Sequence, residues 1–534
     1  MNEGGFRRGA LLACAVLAAL PAAGEEKAAP PVPPPVLLKS YDGGEGNYRG
    51  SPVVTDLYGD GKKEIITTQW NAVLVHTLDG KKLHELKVAG RVYSGAIVGD
   101  VDGDKRLEII AGDNQGNVHV WRADGTPLSG FPQKVRLNAD VRQIAAADID
   151  GDGKDEVVAY SCLTDQGCEP NMYVFQADGS VRKGWPHFHK DDPFLGKHFD
   201  HAGGFNHCLA VGDVDGDKKM ELVFCQDYGS ICLFRADGTP CEAKGQQVLD
   251  KKSGSVWWGE CRAWVPQTCE KISWGPGKKY LLEFTYSPPL IADLDLDGHP
   301  EILAVPNLEN PEKIGPHVGS CLIVRNVDFT PKAGFAPWKL SDPAVGGEGR
   351  GSKFEANPCV VAGDIAGDAR LEVVVAHLDG TIRAYGPDGA DLWTYKFTDS
   401  ASVIACEPLL ADVTGDGKAD VIFTASDSES KTGRLLVLDG SGRLRLDFPL
   451  PFHNQAAPTL ADVNGDGVPE LLIAAFNRGA AKHTVFIYTW PVNPQCLPWP
   501  TGRGDFGHTA CVKPPAASGT PASAPPSTPR VLPW

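Results

Sequence analysis

One nine-residue phrase returns eight times along this 534-residue chain. The copies begin at Asp56 (DLYGDGKKE), Asp100 (DVDGDKRLE), Asp148 (DIDGDGKDE), Asp213 (DVDGDKKME), Asp293 (DLDLDGHPE), Asp364 (DIAGDARLE), Asp412 (DVTGDGKAD) and Asp462 (DVNGDGVPE). Successive starts lie 44, 48, 65, 80, 71, 48 and 50 residues apart, a unit of about 45 residues with insertions in the middle of the chain. A repeat of that length holding several short strands describes a propeller blade, which buries its faces only against neighbouring blades.

The spacing within the phrase carries chemistry. In the third copy, oxygen-bearing side chains fall at positions 1, 3, 5 and 9 (Asp148, Asp150, Asp152, Glu156), and Gly153 at position 6 permits a sharp bend. Like charges so crowded repel unless a cation neutralises them, and hard oxygen ligands in this number suit Ca²⁺ better than zinc or copper. An EF-hand would need a bidentate Glu at position 12 and flanking helices. Position 12 is Ala159, and the flanks VRQIAAAD and EVVAY read as strands.

The copies differ in quality. Those at Asp293 (with Asp295, Asp297, Glu301) and Asp462 (with Asn464, Asp466, Glu470) keep every ligand and the Gly, like the copy at Asp148. Asp100 (with Asp102, Asp104, Glu108) and Asp213 (with Asp215, Asp217, Glu221) keep the ligands but place Lys105 and Lys218 at position 6. Asp56 (with Asp60, Glu64) and Asp412 (with Asp416, Asp420) carry Tyr58 and Thr414 at position 3, and the Asp364 copy, with Ala366 and Ala369, is the weakest. The expectation is about five to seven calcium ions, one per competent loop. The alternative is a turn whose Asp side chains bond only to backbone.

One unit parses into four strands: SGAIVGD, then after the acidic loop EIIAGD, NVHVWR, the turn ADG, and TPLSGFPQKV. The turn recurs at 78–80, 123–125, 177–179, 236–238, 387–389 and 438–440, and Asp-Gly at a fixed offset between strands is a hairpin signal because Gly supplies positive φ. The expected fold is all-β, an eight-bladed β-propeller with four-stranded antiparallel blades. The last unit lacks an Asp-Gly turn into a fourth strand, while VLLKSYD (36–42) precedes the first inner strand. The N-terminal strand is therefore expected to close the last blade and remove a free edge.

These phrases resemble the FG-GAP or VCBS repeat family, whose members resemble the calcium-bearing propeller at the N-terminus of integrin α subunits. The resemblance spans about residues 36–511 and implies fold far more than function, since propellers host adhesion, scaffolding and catalysis alike. The phrase WPTGRGDFGHTAC (499–511) is similar to the WP…D..HT ending of many bacterial members. Its RGD (503–505) reads either as an integrin ligand or as a chance tripeptide inside that ending.

The net charge of −17, without a basic stripe, excludes nucleic acid as a partner. FRRGALLACAVLAALPAAG reads as a secretory signal, 1–24, followed by a Pro-rich linker, 25–35, the propeller, 36–511, and a Pro/Ala/Ser-rich tail, 512–534. No other segment is apolar and long enough to cross a membrane, so the protein is expected to be secreted, periplasmic or at the cell surface. LLAC (11–14) hints at a lipobox, but Cys14 sits in the middle of the apolar run. Export makes disulfides an expectation for the fourteen cysteines: Cys162 with Cys168, Cys261 with Cys269, Cys496 with Cys511, and Cys225 facing Cys232.

Strands alternate direction within a blade, so acidic loops and Asp-Gly turns share one rim, and nearly every insertion belongs to the other. That rim collects His187, His189, Asp191, Asp192, His198, Asp200, His201 and His207 in one insertion and Trp257, Trp258, Trp264 and Trp274 in the next. Histidines and carboxylates bind metals or act as acid and base, tryptophans stack on sugar rings, and both also occur as solvated groups or a small core under long loops. The function expected is a non-catalytic module binding an extracellular or periplasmic protein or glycan through these loops. The alternative is a calcium-dependent polysaccharide lyase resembling rhamnogalacturonan lyases, though no catalytic base can be singled out. Quinoprotein dehydrogenases, also eight-bladed, carry a docking Trp in most blades, and only DGADLW (388–393) resembles one.

Overall fold

The computed structural model describes residues 31–44, 50–135, 140–162, 172–186, 209–226, 230–239, 241, 262–264, 281–284, 288–309, 317–336, 338–343, 358–477 and 482–512. Every regular element among them is a strand, and the strands form eight antiparallel sheets arranged as the blades of a ring. Blade 1 shows the plan: Val53–Thr55 innermost, then Glu64–Gln69, Ala72–Thr77 and Lys82–Lys87, each paired with the next. Middle strands such as Glu108–Gly112 are buried along their whole length because both faces meet a neighbouring blade.

The core consequently lies between blades. Ile97, Ile110 and Val120 of blade 2 pack with Val157, Ala159 and Phe175 of blade 3. The ring closes where Val54 and Ile65 of blade 1 meet Leu472, Val485 and Ile487 of blade 8. Blade 8 takes its outer strand from the other end of the chain, Val36–Gly44 pairing with Lys482–Thr489. The closing N-terminal strand is thus as expected, and Val32, just before it, is 4 % exposed in the same core as Trp490, whose indole donates to the Pro33 carbonyl at 2.9 Å.

Not every blade has four strands. Three appear in blade 3 among the described residues, and the Phe175–Val181 bridge marks where a fourth begins. Blade 5 has six, because its nine-residue strand His317–Arg325 reaches past the blade and pairs with Asn307–Glu309, which in turn pairs with Leu281–Glu283. Blade 7 gains Val403–Ala405 alongside its long Asp420–Asp427 strand. The turn expected at 438–440 is shifted two residues: Gly442, not Gly440, has positive φ, and its N–H donates to the Asp439 carbonyl. Gly440 is instead small by necessity, since a Cβ there would lie 1.9 Å from the Ile365 carbonyl oxygen of blade 6.

The closing phrase fills the axis. Carbonyls of Trp499, Pro500, Phe506, Gly507, Thr509 and Ala510 accept the inner-strand N–H groups of Leu410, Leu460, Val98, Ala146, Val211 and Ile291 at 2.7–3.0 Å. One segment therefore caps the inner edges of blades 7, 8, 2, 3, 4 and 5 in turn, edges that would otherwise present unpaired N–H groups at the axis. Arg503 is its anchor: 2 % exposed, it donates through Nη2 to the carbonyls of Leu209 (3.0 Å) and Pro289 (2.6 Å), and its backbone N–H donates to Glu407 Oε1 at 2.7 Å. An arginine held this way is out of reach of an integrin, so the RGD tripeptide belongs to the ending and not to a recognition loop.

Of the disulfides expected, Cys496–Cys511 does not form, since Cys496 is a free thiol. Cys225 lies opposite Ile231 and Cys232 opposite Phe224, so the two sit one register step apart on opposite faces of the hairpin. Cys168, Cys261 and Cys269 lie outside the described residues, as does the side chain of Cys162.

Candidate metal centres

All eight acidic loops share one hydrogen-bond scaffold. The position 1 carboxylate accepts the N–H of position 6 in every copy: Gly61, Lys105, Gly153, Lys218, Gly298, Ala369, Gly417 and Gly467 donate to Asp56, Asp100, Asp148, Asp213, Asp293, Asp364, Asp412 and Asp462 at 2.8–3.0 Å. Position 9 reaches back to the N–H of position 2, as Glu108 does to Val101 (2.9 Å) and Asp420 to Val413 (2.8 Å). Position 5 accepts the N–H of position 7, as Asp152 does from Lys154 at 2.9 Å. Positions 4 and 6 both have positive φ, which Lys105, Lys218 and Ala369 adopt at position 6 and Leu296 at position 4. The turn reading and the metal reading are thus compatible at positions 5 and 9, where one carboxylate oxygen holds backbone while the other is left for a cation; at position 1 both oxygens hold backbone, as Asp148 Oδ1 accepts from Gly151 and Asp152 and Oδ2 from Gly153.

Position 3 has no part in the shared bonds of positions 1, 5 and 9, so its identity separates the loops. With Asp there, carboxylate oxygens lie within 4.8 Å of one another in Asp100, Asp102 and Glu108; in Asp148, Asp150 and Glu156; in Asp213, Asp215 and Glu221; and in Asp293, Asp295 and Asp297. In blade 8, Asn464 contacts Asp466 Oδ2 at 3.0 Å and Glu470 Oε1 at 2.6 Å. With Tyr58, Ala366 or Thr414 there, no such carboxylate triad forms among the described residues. Tyr58 turns away to His84 Nε2 (2.8 Å), leaving Asp56, Asp60 and Glu64 as scaffold, while Thr414 Oγ1 donates to Asp420 Oδ1 at 3.3 Å beside Asp412 and Asp416. The loops sequence ranks highest are at Asp148, Asp293 and Asp462; the structure adds those with Lys at position 6, since the backbone tolerates Lys there.

The electrostatics ask for a cation. Burial, with neighbouring loop carboxylates adding to it, pushes Glu108, Glu156 and Glu221 up to about 7. Burial does the same to Asp420, also to about 7. A divalent ion would reverse that direction by favouring the charged form. The donor set of three or four oxygens on a tight turn, with a buried Glu or Asp behind it, fits Ca²⁺ completed by water.

On the ligand rim, His187, His189, Asp191, Asp192, His198, Asp200, His201, His207, Trp257, Trp258 and Trp274 lie outside the described residues. Trp264 ends the outer strand of blade 4, Arg262–Trp264, paired with Ser230–Cys232. Elsewhere Ser320 Oγ lies 2.9 Å from His377 Nδ1, a pair that spacing gives no reason to expect. Both residues are buried, at 0 and 4 % exposure, and Tyr385 Oη stands 3.4 Å from the other ring nitrogen, so the pair is a core polar contact closed to substrate.

A family profile described as FG-GAP-like repeat matches residues 100–159 and 412–473, which are blades 2 to 3 and 7 to 8. No curated protein matches the chain. Among solved structures, the biofilm matrix protein Bap1 of V. cholerae is 16 % identical with a TM-score of 0.36, covering 84 % of this chain and 77 % of that one. BBS1N in complex with ARL6DN is 10 % identical with a TM-score of 0.42, covering 86 % and 98 %. The quinohemoprotein alcohol dehydrogenase of Comamonas testosteroni is 13 % identical with a TM-score of 0.47, covering 85 % and 76 %. The chain is an eight-bladed β-propeller carrying FG-GAP-like repeats.

Proposed function

We propose that this protein is an exported, calcium-stabilised binding module without catalytic activity, whose ligand is an extracellular or periplasmic protein or glycan. The observation that carries the calcium part is the convergence of three carboxylates in each of four consecutive blades, on a turn whose backbone those acids already bond. The binding part is supported by the division of labour between rims. Acidic loops and C-to-D turns crowd one rim, as the contact between Arg182 of such a turn and Asp150 of an acidic loop requires. The long connection after Trp264 leaves the outer strand of blade 4 at its far end, and Leu209 and Leu290 receive the chain at the starts of inner strands on the same rim, where loops on a rigid scaffold carry recognition. No helix long and apolar enough to cross a membrane is present among the described residues.

The test replaces 187–206, 245–261 and 265–280 with short Gly-Asn connectors, keeping the strands Arg262–Trp264 and Leu281–Glu283, and compares the variant with the intact chain on glycan arrays and in pull-downs from surface extracts. Loss of binding by a variant that still melts cooperatively supports the reading. Undiminished binding moves the site to the calcium rim, and release of unsaturated products from pectic polymers by the intact chain overturns the non-catalytic assignment.

A further inference from the structure

Blades 2 to 5 all have acids at positions 1, 3, 5 and 9 but not the same surroundings. In each, the residue just after the C-to-D turn donates its backbone N–H to the C strand: Leu128 to Val120, Arg182 to Val174, Cys241 to Leu233 and Lys332 to Val324, at 2.8–3.1 Å. The four residues are therefore structurally equivalent, and their side chains leave the blade at the same place, beside the acidic loop of the same blade.

In blades 3 and 5 that place is filled by a cation. Lys332 Nζ lies 2.5 Å from Asp295 Oδ2 and 2.7 Å from Glu301 Oε1, bridging positions 3 and 9. Arg182 Nη1 lies 2.6 Å from Asp150 Oδ2 and 3.3 Å from Glu156 Oε1, bridging the same two positions. Both cations are largely enclosed, with side chains 13 % and 15 % exposed. Arg182 is further fixed by donating Nε to the Ala236 carbonyl of the blade 4 turn at 3.1 Å. Blade 2 has Leu128 and blade 4 has Cys241 at the equivalent position, neither of which brings a positive charge. Among the described residues Arg122 reaches the blade 2 loop, 44 % exposed, and meets Asp102 at 3.1 Å but not Glu108. Position alone does not make the bridge: Arg445, in the corresponding bulge of blade 7, pairs with Asp439 at 3.6 Å beside a loop that has Thr414 at position 3.

We propose that Arg182 and Lys332 are tethered cations that stand in for calcium in blades 3 and 5, so that of the four carboxylate triads those of blades 2 and 4 are the ones left to bind ions. The inference rests on the calcium reading above and refines it by blade. A calcium ion needs oxygens at 2.3–2.6 Å, and in blades 3 and 5 two of those oxygens already lie at hydrogen-bond distance from a fixed positive nitrogen. An ion seated on them would sit in contact with a charge of its own sign. In blade 5 the oxygens that converge are those of Asp293, Asp295 and Asp297, with Glu301 drawn off towards Lys332. In blades 3 and 5 part of the loop charge is thereby offset whether or not calcium is present.

The test counts Ca²⁺ bound per full chain, by elemental analysis after equilibration with calcium and desalting. Lys332→Met and Arg182→Met, which keep the stem and remove the charge, are each expected to gain one ion. Cys241→Lys is expected to lose one, and Arg182→Lys to leave the count unchanged. Circular dichroism in calcium confirms folding, and the opposite signs expected for the two kinds of variant separate ion exchange from general damage. A non-zero count that none of the first three substitutions moves overturns this proposal alone. A count of zero in the unsubstituted chain overturns the calcium reading and this proposal together.

Discussion

At the scale of single residues, the acidic loop places two positions in left-handed backbone, where an L-residue with a Cβ is strained. Ala369 sits there at φ 68°, in the loop with Ala366 at position 3. Ala369→Gly is expected to stabilise the fold by about 0.5–1 kcal/mol, read as a higher urea midpoint with unchanged slope. Gly440→Ala tests the opposite constraint. Its Cβ would meet the Ile365 backbone oxygen at 1.9 Å, and backbone cannot step aside as a side-chain tip can. The expected cost is about 1–3 kcal/mol, and a midpoint equal to that of the parent would refute the close approach. Both changes lie on the rim of the acidic loops, away from the long connections of the proposed ligand rim.

At the scale of elements, the decisive one is the strand Val36–Gly44, which pairs along Lys482–Thr489 and converts an open edge into the seam of the ring. Removing residues 31–44 would uncover that edge together with the core around Trp490 and Val32. The expected outcome is a broadened, earlier melt and concentration-dependent self-association by sedimentation, since an unpaired strand of eight residues templates pairing with another chain. The seam also carries a pH dependence. Burial depresses His483, and likewise His76 and His377, to about 4. An unfolded histidine takes up its proton below about 6.5, so between pH 6.5 and 4 the unfolded chain holds more protons than the fold. Stability is therefore full above that window and falls as pH drops through it. His483→Met should raise the melting temperature at pH 5 relative to the parent more than it does at pH 8, and equal shifts at both would remove the histidine from this role.

At the scale of the whole molecule, the C-terminal segment along the axis holds the ring, and the proposed calcium ions would act on the rim of the acidic loops. Chelation with EDTA is expected to lower Tm, because a ligand that binds only the folded chain stabilises it by mass action, and readdition of calcium should restore it. An unchanged melt, with no calcium in the purified protein, would show that backbone bonding alone supports the loops. Arg503→Ala should cost about 2–4 kcal/mol by stranding the carbonyls of Leu209 and Pro289, a loss that calcium does not repair.

The eight acidic phrases, the strand pattern around them and the missing last strand of unit eight make the propeller, its blade number and its N-terminal closure legible in sequence, because all three depend on local spacing and period. Ligand identity at positions 1, 3, 5 and 9 is equally local, and so is the weakness of the copies at Asp56, Asp364 and Asp412. What sequence alone leaves open is whatever depends on groups distant along the chain meeting in space. Arg503 reaches carbonyls 294 and 214 residues away, which turns an apparent recognition tripeptide into an internal fastener. Lys332 and Arg182 lie 37 and 32 residues beyond the aspartates they bridge, and only the returning D strand brings them there. Two of the three loops that read as the best ion sites by their own residues are, in the folded chain, already holding a cation, because a site's charge is set by everything packed against it and not by its nine residues alone.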